Sequence, residues 1–282
     1  MSLTVLNEVM IQGLIYSLVA LGMYITQRVI RVDDLACEGA FASGGAVFAT
    51  AVSMGFFPPV AIPLALFAGI GIGALSCFLH CKLNVPMLIA GLAVTCGLFS
   101  LNLGMAGANL SLPHGSIGLF GLTLHLTPAL PLIVLCGFSL LGVHWLLTTE
   151  IGLLLRAAGD NPNLLYALGK RHEHYKMVGL MIANGFSALS GALFIWYLGF
   201  FSITGSIGTL LVGLASLTLA SFWPKSILFG IPIGCILYQL IFALTIEMGV
   251  SPIWNNLLKA SILVLLIYAQ NGARREVATC ST

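Results

Sequence analysis

Charge is what this sequence has least of. Across 282 residues there are eleven Lys and Arg and nine Asp and Glu, 7% of the chain, against about 25% in a soluble globular domain. So few charges cannot clothe a chain that is 59% apolar and also holds 32 glycines. The net charge of +2 is too small to steer the molecule toward phosphates. A soluble enzyme, a nucleic-acid-binding protein and a disordered scaffold are thereby excluded, leaving an integral membrane protein.

Other shortages are equally informative. The seven cysteines, at 37, 77, 81, 96, 136, 235 and 280, include no CxxC pair. They are expected to be small buried apolar residues, with Cys77 and Cys81 only weak support for a metal or redox pair. A P-loop is missing: around Gly169-Lys170 its first glycine is replaced by Leu164 and its Ser/Thr by Arg171. The Gly185-Phe186-Ser187-Ala188 run faintly resembles an intramembrane serine protease, but no histidine follows His174 to serve as its base. His172-Glu173-His174 has no third metal ligand at helical spacing and reads as a solvated patch. The N-terminus lacks a basic n-region and a cleavage site, so its apolar stretch is expected to stay as a span.

What the chain has is long apolar runs. A span needs about 20 mostly apolar residues. Nine intervals qualify, at roughly 8–27, 41–57, 59–80, 86–105, 128–147, 177–199, 207–222, 226–248 and 256–270. The expectation is an all-α polytopic membrane protein of about nine spans, within a range of eight to ten. The second and seventh are short and rich in Gly, Ala and Ser, as broken or re-entrant helices would be. The stretch 106–127, with Pro113 and His114, is expected to be an ordered loop carrying at most a short surface helix.

Basic residues orient the chain. With the N-terminus outside and the C-terminus inside, Arg28, Arg31, Lys82, Arg156, Lys170, Arg171, Lys176, Lys225, Arg274 and Arg275 are all cytoplasmic. Lys259 alone breaks the pattern. The pattern also repeats: spans one to four and six to nine each run through a small-residue stretch, a long Ile/Leu/Gly span and a proline-led last span (Pro86, Pro252). An offset of five spans inverts one half relative to the other, as in transporters. The whole chain reads as one transmembrane domain: repeat one at about 8–105, a central span 128–147, a loop 148–176, repeat two at about 177–270 and a tail 271–282.

That loop is the only sizeable hydrophilic segment. Asp160-Asn161-Pro162 is expected to open a short helix and Gly169 to close it. Leu164, Leu165 and Leu168 form its apolar patch, which would either dock into another protein or pack on the chain's own inner surface.

The run T-x-x-G-x-x-x-R-A-x-G-x-N, here Thr149, Gly152, Arg156, Ala157, Gly159 and Asn161, followed by Gly169, resembles the cytoplasmic coupling loop of bacterial ABC-importer permeases. The family is that of the branched-chain amino acid and ribose permeases. Residues 179–200, and 31–47 after the first span, resemble the same family. Asp34-Leu35-Ala36-Cys37-Glu38-Gly39-Ala40-Phe41 and His80-Cys81-Lys82-Leu83-Asn84-Val85-Pro86 look in particular like tryptophan/tyrosine importer permeases. The resemblance implies a permease subunit in the bacterial inner membrane that moves an amino acid or similar solute. It would hold no cofactor itself, ATP and Mg²⁺ belonging to a separate ATPase docked at Arg156, Gly159, Asp160, Asn161, Pro162, Leu164, Leu165, Leu168 and Gly169. Further implied partners are a second permease copy and a periplasmic or lipoprotein solute-binding protein, in contact with membrane lipid and not with nucleic acid.

Pathway residues are harder to choose. Asp34 and Glu38 could sit at a broken helix lining the pathway, or in a solvated loop paired with Arg28 and Arg31. With Gly39, Thr95, Asn102 and Asn184 they make the candidate set, though Thr95, Asn102, Asn184 and Ser187 could equally hydrogen-bond between helices. Trp196 and Tyr197 suit an interfacial aromatic belt. The competing class is an ion-coupled secondary transporter, for which only Asp34 and Glu38 are placed to couple ions.

Overall fold

The computed structural model describes residues 3–112, 129–222, 227–247 and 254–279. Eleven α-helices run along them: α1 (Leu3–Tyr24), α2 (Ala36–Ser53), α3 (Pro58–Leu83), α4 (Met87–Ala106), α5 (Ala129–Thr148), α6 (Glu150–Asp160), α7 (Pro162–Ala167), α8 (His172–Leu198), α9 (Thr209–Ala220), α10 (Ile227–Glu247) and α11 (Asn255–Thr279). Each of the nine apolar intervals holds a helix. Five stretches, Val5–Ile30, Pro58–Leu83, Met87–Ala106, His172–Leu198 and Ile227–Glu247, are long and apolar enough to cross a membrane. The α5–α6 pair, bent by 75°, makes a sixth if counted as one span. At 12 residues, α9 rises only about 18 Å and cannot cross a hydrocarbon core of about 30 Å alone.

Two boundaries depart from the hydropathy reading. Helix α2 starts at Ala36, five residues before the apolar run, because the Asp34 carboxylate accepts the Ala36 N–H. Helix α8 starts at His172, so the polar HEHYK segment forms its first turns. The supposed loop after α4 carries a strand, β1 (Asn109–Ser111), antiparallel to β2 (Phe200–Ser202) with Leu110 opposite Phe201. Residues 113–128 of that stretch lie outside the described residues, as do Lys225, Pro252 and Cys280.

Helix α8 runs through the middle of the bundle, against α1, α2 and α3. Lipid tails are as apolar as leucine, so helices in a bilayer associate by close backbone approach and polar contacts. The α2–α8 crossing shows this: a Cβ on Gly44 would strike the Ala188 carbonyl, and one on Gly191 the Phe41 carbonyl. Gly69 and Gly73 of α3 meet the Asn184 and Leu180 carbonyls in the same way, and Gly22 of α1 meets that of Ala183. Ser190 adds a hydrogen bond from its hydroxyl to the Ile15 carbonyl at 2.7 Å. On the other side of α1, α9 and α10 close up through Gly213 and Gly234.

Trp196 is not in an aromatic belt. It is 4% exposed, tilted against Phe48 with ring centroids 6.0 Å apart, because β2 folds back beyond the end of α8. Cys37, Cys77, Cys136 and Cys235 are buried as expected, whereas Cys81 is half-buried and Cys96 is exposed on α4. The face of α4 carrying Cys96 also exposes Ile89, Leu92, Phe99 and Leu103, so the thiol sits on an apolar surface rather than in the core.

A bulky residue at the α2–α8 crossing has no side chain to push aside, only backbone. Gly44→Val or Gly191→Val should lower detergent-solubilised stability by ~1–3 kcal/mol or more, read as a fall in melting temperature. Gly137→Val in α5, where a Cβ meets nothing within 4 Å, should leave it within experimental error.

Candidate functional site

The first interruption in the bundle lies between α1 and α2. Helix α1 loosens into a π turn over Ile25–Ile30 and is closed by Arg31 at φ 55°, a left-handed conformation uncommon outside glycine. Val32 returns its N–H to the Thr26 carbonyl at 2.9 Å. A helix start leaves backbone N–H groups without partners, and here Asp34 supplies one: its Oδ1 accepts the Ala36 N–H at 2.9 Å. Its Oδ2 accepts from Asn184 Nδ2, in α8, at 2.8 Å. That same Nδ2 also donates to the Leu180 carbonyl at 3.0 Å. Helix α4 closes the other side, where Thr95 donates its hydroxyl to the Leu35 carbonyl at 3.1 Å and Gly91 leaves room for the Asp34 carboxylate.

Asp34 is 4% exposed. The solvated-loop reading therefore fails for it, and Arg31 reaches elsewhere: its Nη2 pairs with Asp160 Oδ1 at 2.6 Å on the exposed face. An ion pair this open adds little stability, but it ties the start of the interruption to the end of α6.

One helical turn beyond Asp34, the half-buried Glu38 points at a second interruption. A short 3₁₀ turn, Thr204–Ser206, leads to Gly208 at φ 84°, which caps α9. Glu38 Oε1 accepts the Gly208 N–H at 2.6 Å. From α11, Lys259 Nζ donates to the Ile207 carbonyl at 3.4 Å. Between α2, α4 and this segment is a cavity of about 50 Å³ lined by Glu38, Gly39, Thr95, Asn102, Ser206 and Ile207 among others. Asn102 is 2% exposed, and its Nδ2 has no hydrogen-bond partner among the described residues.

Four of the six pathway candidates, Glu38, Gly39, Thr95 and Asn102, thus share one cavity. The other two, Asp34 and Asn184, bind each other a turn away. Lys259, Ser206 and Gly208 were not among the candidates. Lys259 had a signal, since it alone broke the charge asymmetry; the other two are a common Ser and Gly in a run full of both.

The coupling-loop candidates form a separate group. Helix α6 buries Gly152, Leu155 and Ala158, and Gly159 packs on the backbone of Val29 and Ile30 in the π turn. Asp160 ends α6 and pairs with Arg31 rather than opening the next helix; Arg156 is exposed. Asn161 precedes α7, which starts at Pro162 without a side-chain cap. Gly169, at φ 69°, closes it, with Lys170 N–H returning to the Leu165 carbonyl at 2.9 Å. This is the glycine stop expected after a short helix. The patch is split. Leu165 is 0% exposed and anchors α7 to the rest of the chain, so it is unavailable to a partner, while Leu164, Tyr166 and Leu168 are 49%, 58% and 58% exposed.

Comparison with known proteins gives a consistent picture. Residues 5–267 match the family model described as branched-chain amino acid transport system, permease component. A tyrosine transport system permease protein of Clostridioides difficile is 31% identical over 94% of this chain and 90% of its own. An uncharacterized protein of Rickettsia prowazekii is 31% identical over 94% of this chain and 96% of its own. Another from Mycoplasma genitalium is 28% identical over 63% of each chain. No solved structure matches the chain.

The Asp34–Asn184 pair makes a testable unit. Asn184→Leu should strand a buried carboxylate and cost about 1–3 kcal/mol, measured by thermal unfolding in detergent. Adding Asp34→Asn should recover part of that loss, because it removes the stranded charge while keeping an acceptor for the Ala36 N–H.

Proposed function

The chain belongs to the family of branched-chain amino acid transport permease components, and on that premise we propose that it is the permease subunit of an ABC importer. It is a multi-pass protein of the bacterial inner membrane. The solute in this reading is an amino acid, aromatic or branched-chain. The tyrosine transport permease among its relatives and the two charged residues at the second interruption favour that class.

The observation that carries the reading is the form of α7. A helix of six residues is too short to be stable alone, yet it is closed by Gly169, anchored by Leu165 and flanked by three exposed apolar side chains. An apolar patch on a charged loop fits a groove on a cytoplasmic ATPase. Hydrolysis then occurs on that partner, and this chain has no catalytic role. Its site residues for docking are Leu164, Tyr166 and Leu168, with Arg156, Gly159, Asp160, Asn161, Pro162 and Gly169 shaping the loop. Two such permeases, most simply two copies, would face each other, with a solute-binding protein delivering cargo from outside.

The topology follows the same reading: nine spans with α9 reaching part-way, the N-terminus out, the C-terminus in, and two inverted four-helix repeats in one transmembrane domain. One observation supports it: Arg31 and Asp160, both assigned to the cytoplasmic face, are in contact.

Leu164→Glu combined with Leu168→Glu should leave the chain in the membrane but lower the ATPase that co-purifies in mild detergent by about 10-fold or more, since each 1.4 kcal/mol is tenfold. Retention of the ATPase by this variant would remove the docking assignment. Leu165→Glu should behave differently, reducing the amount of folded chain itself.

A further inference from the structure

Glu38 and Lys259 approach the same peptide unit from its two edges. Glu38 takes the Gly208 N–H at 2.6 Å, and Lys259 gives to the Ile207 carbonyl at 3.4 Å. Satisfying one amide donor and one carbonyl acceptor needs no charge at all; glutamine could do both. Two opposite charges placed on an apolar helix bundle carry a desolvation cost, and ionisable groups in such surroundings are by default functional.

A peptide unit presents one donor and one acceptor. A free α-amino acid presents the same polarity with full charges, an ammonium that donates and a carboxylate that accepts. Hydrogen bonds between ionised partners are roughly twice as strong as neutral ones. We propose that Glu38 and Lys259 are the zwitterion-reading pair of the pathway: the ligand's ammonium takes the place of the Gly208 N–H at Glu38, and its carboxylate takes the place of the Ile207 carbonyl at Lys259. The assignment rests on the amino acid permease reading above.

Two further observations fit this site. Asn102, 2% exposed, lines the adjoining cavity with an Nδ2 that has no partner among the described residues; it is a donor awaiting an acceptor beside Glu38. The cavity, about 50 Å³, has room for water but not for an amino acid. The ligand therefore enters by displacing the Ile207–Gly208 peptide. That segment is suited to moving: it joins a 3₁₀ turn of three residues to the left-handed Gly208. The peptide fills the site and holds the head of α9 between α2 and α11. Binding thus releases the head of α9.

The test uses the permease–ATPase complex in detergent, without the solute-binding protein, and measures ligand-induced thermal stabilisation. The probes are L-tyrosine, tyramine, which lacks the carboxylate, and 4-hydroxyphenylpropanoate, which lacks the ammonium. Lys259→Met should weaken apparent tyrosine affinity at least ~10-fold, equivalent to 1.4 kcal/mol, while leaving tyramine affinity unchanged. Glu38→Gln, which keeps an acceptor for the Gly208 N–H, should weaken tyrosine similarly and leave 4-hydroxyphenylpropanoate unchanged. A merely structural clamp would lower all three ligands together in each variant, and that result, or full retention of tyrosine affinity by both variants, overturns the proposal. A wild-type transporter that takes up no amino acid when supplied with ATP and its binding protein would instead fail the transport reading on which the pair depends.

Discussion

The carboxylate of Asp34 holds the centre of this molecule together. A chain that leaves one helix and begins another inside a packed bundle exposes backbone donors that neither lipid nor apolar side chains can satisfy. Asp34 meets that demand at the head of α2 and, through Asn184, binds α2 to α8. The Gly44 and Gly191 crossing tolerates only one register of α2 against α8, and the Asp34–Asn184 bond joins the two helices in that same register.

The same short region also meets both interesting ends of the protein. On one side, Arg31 pairs with Asp160, and Gly159 lies on the π turn, so α6 and α7 rest on the end of α1. On the other, α2 carries Glu38 one turn past Asp34 to the second interruption at Gly208. In the proposed importer, movement of a docked ATPase would reach α2 through the π turn and Asp34. The π turn, an irregular helix end closed by a left-handed Arg31, packs through Ile30 on Gly179 of α8, so a change in its winding would be felt by α8 as well. A conformational link of this kind requires two arrangements of the same contacts, each favoured by a different bound state.

Much of this was legible in the sequence, for identifiable reasons. Each of the nine apolar runs holds one of the eleven described helices, because runs of that length and composition are a direct consequence of bilayer thickness. Gly169 and Pro162 marked the limits of α7 because backbone stereochemistry acts locally. What failed was anything that depended on which way a side chain faces. Leu164 and Leu165 are indistinguishable by composition, yet helical geometry turns one outward and buries the other. Trp196 has the amphipathic chemistry of an interfacial residue but is covered by Phe48 and the β2 segment, which no local pattern announces. Asp34 could not be separated from a partner of Arg28 or Arg31 without knowing that Asn184, 150 positions away, would be opposite it. Lys259 was visible as an exception to the charge asymmetry, and its reason appeared only when α11 was seen beside Ile207.

In the proposed importer, this chain moves its solute only when driven by a nucleotide-hydrolysing partner. Reconstituting the detergent-purified complex into liposomes and measuring L-tyrosine uptake, with the solute-binding protein outside and ATP on the ATPase side, tests it most directly. Uptake should require ATP and disappear when the ATPase is stripped away, whatever ion gradient is imposed. Uptake by the chain alone, driven by a proton or sodium gradient without nucleotide, would contradict it.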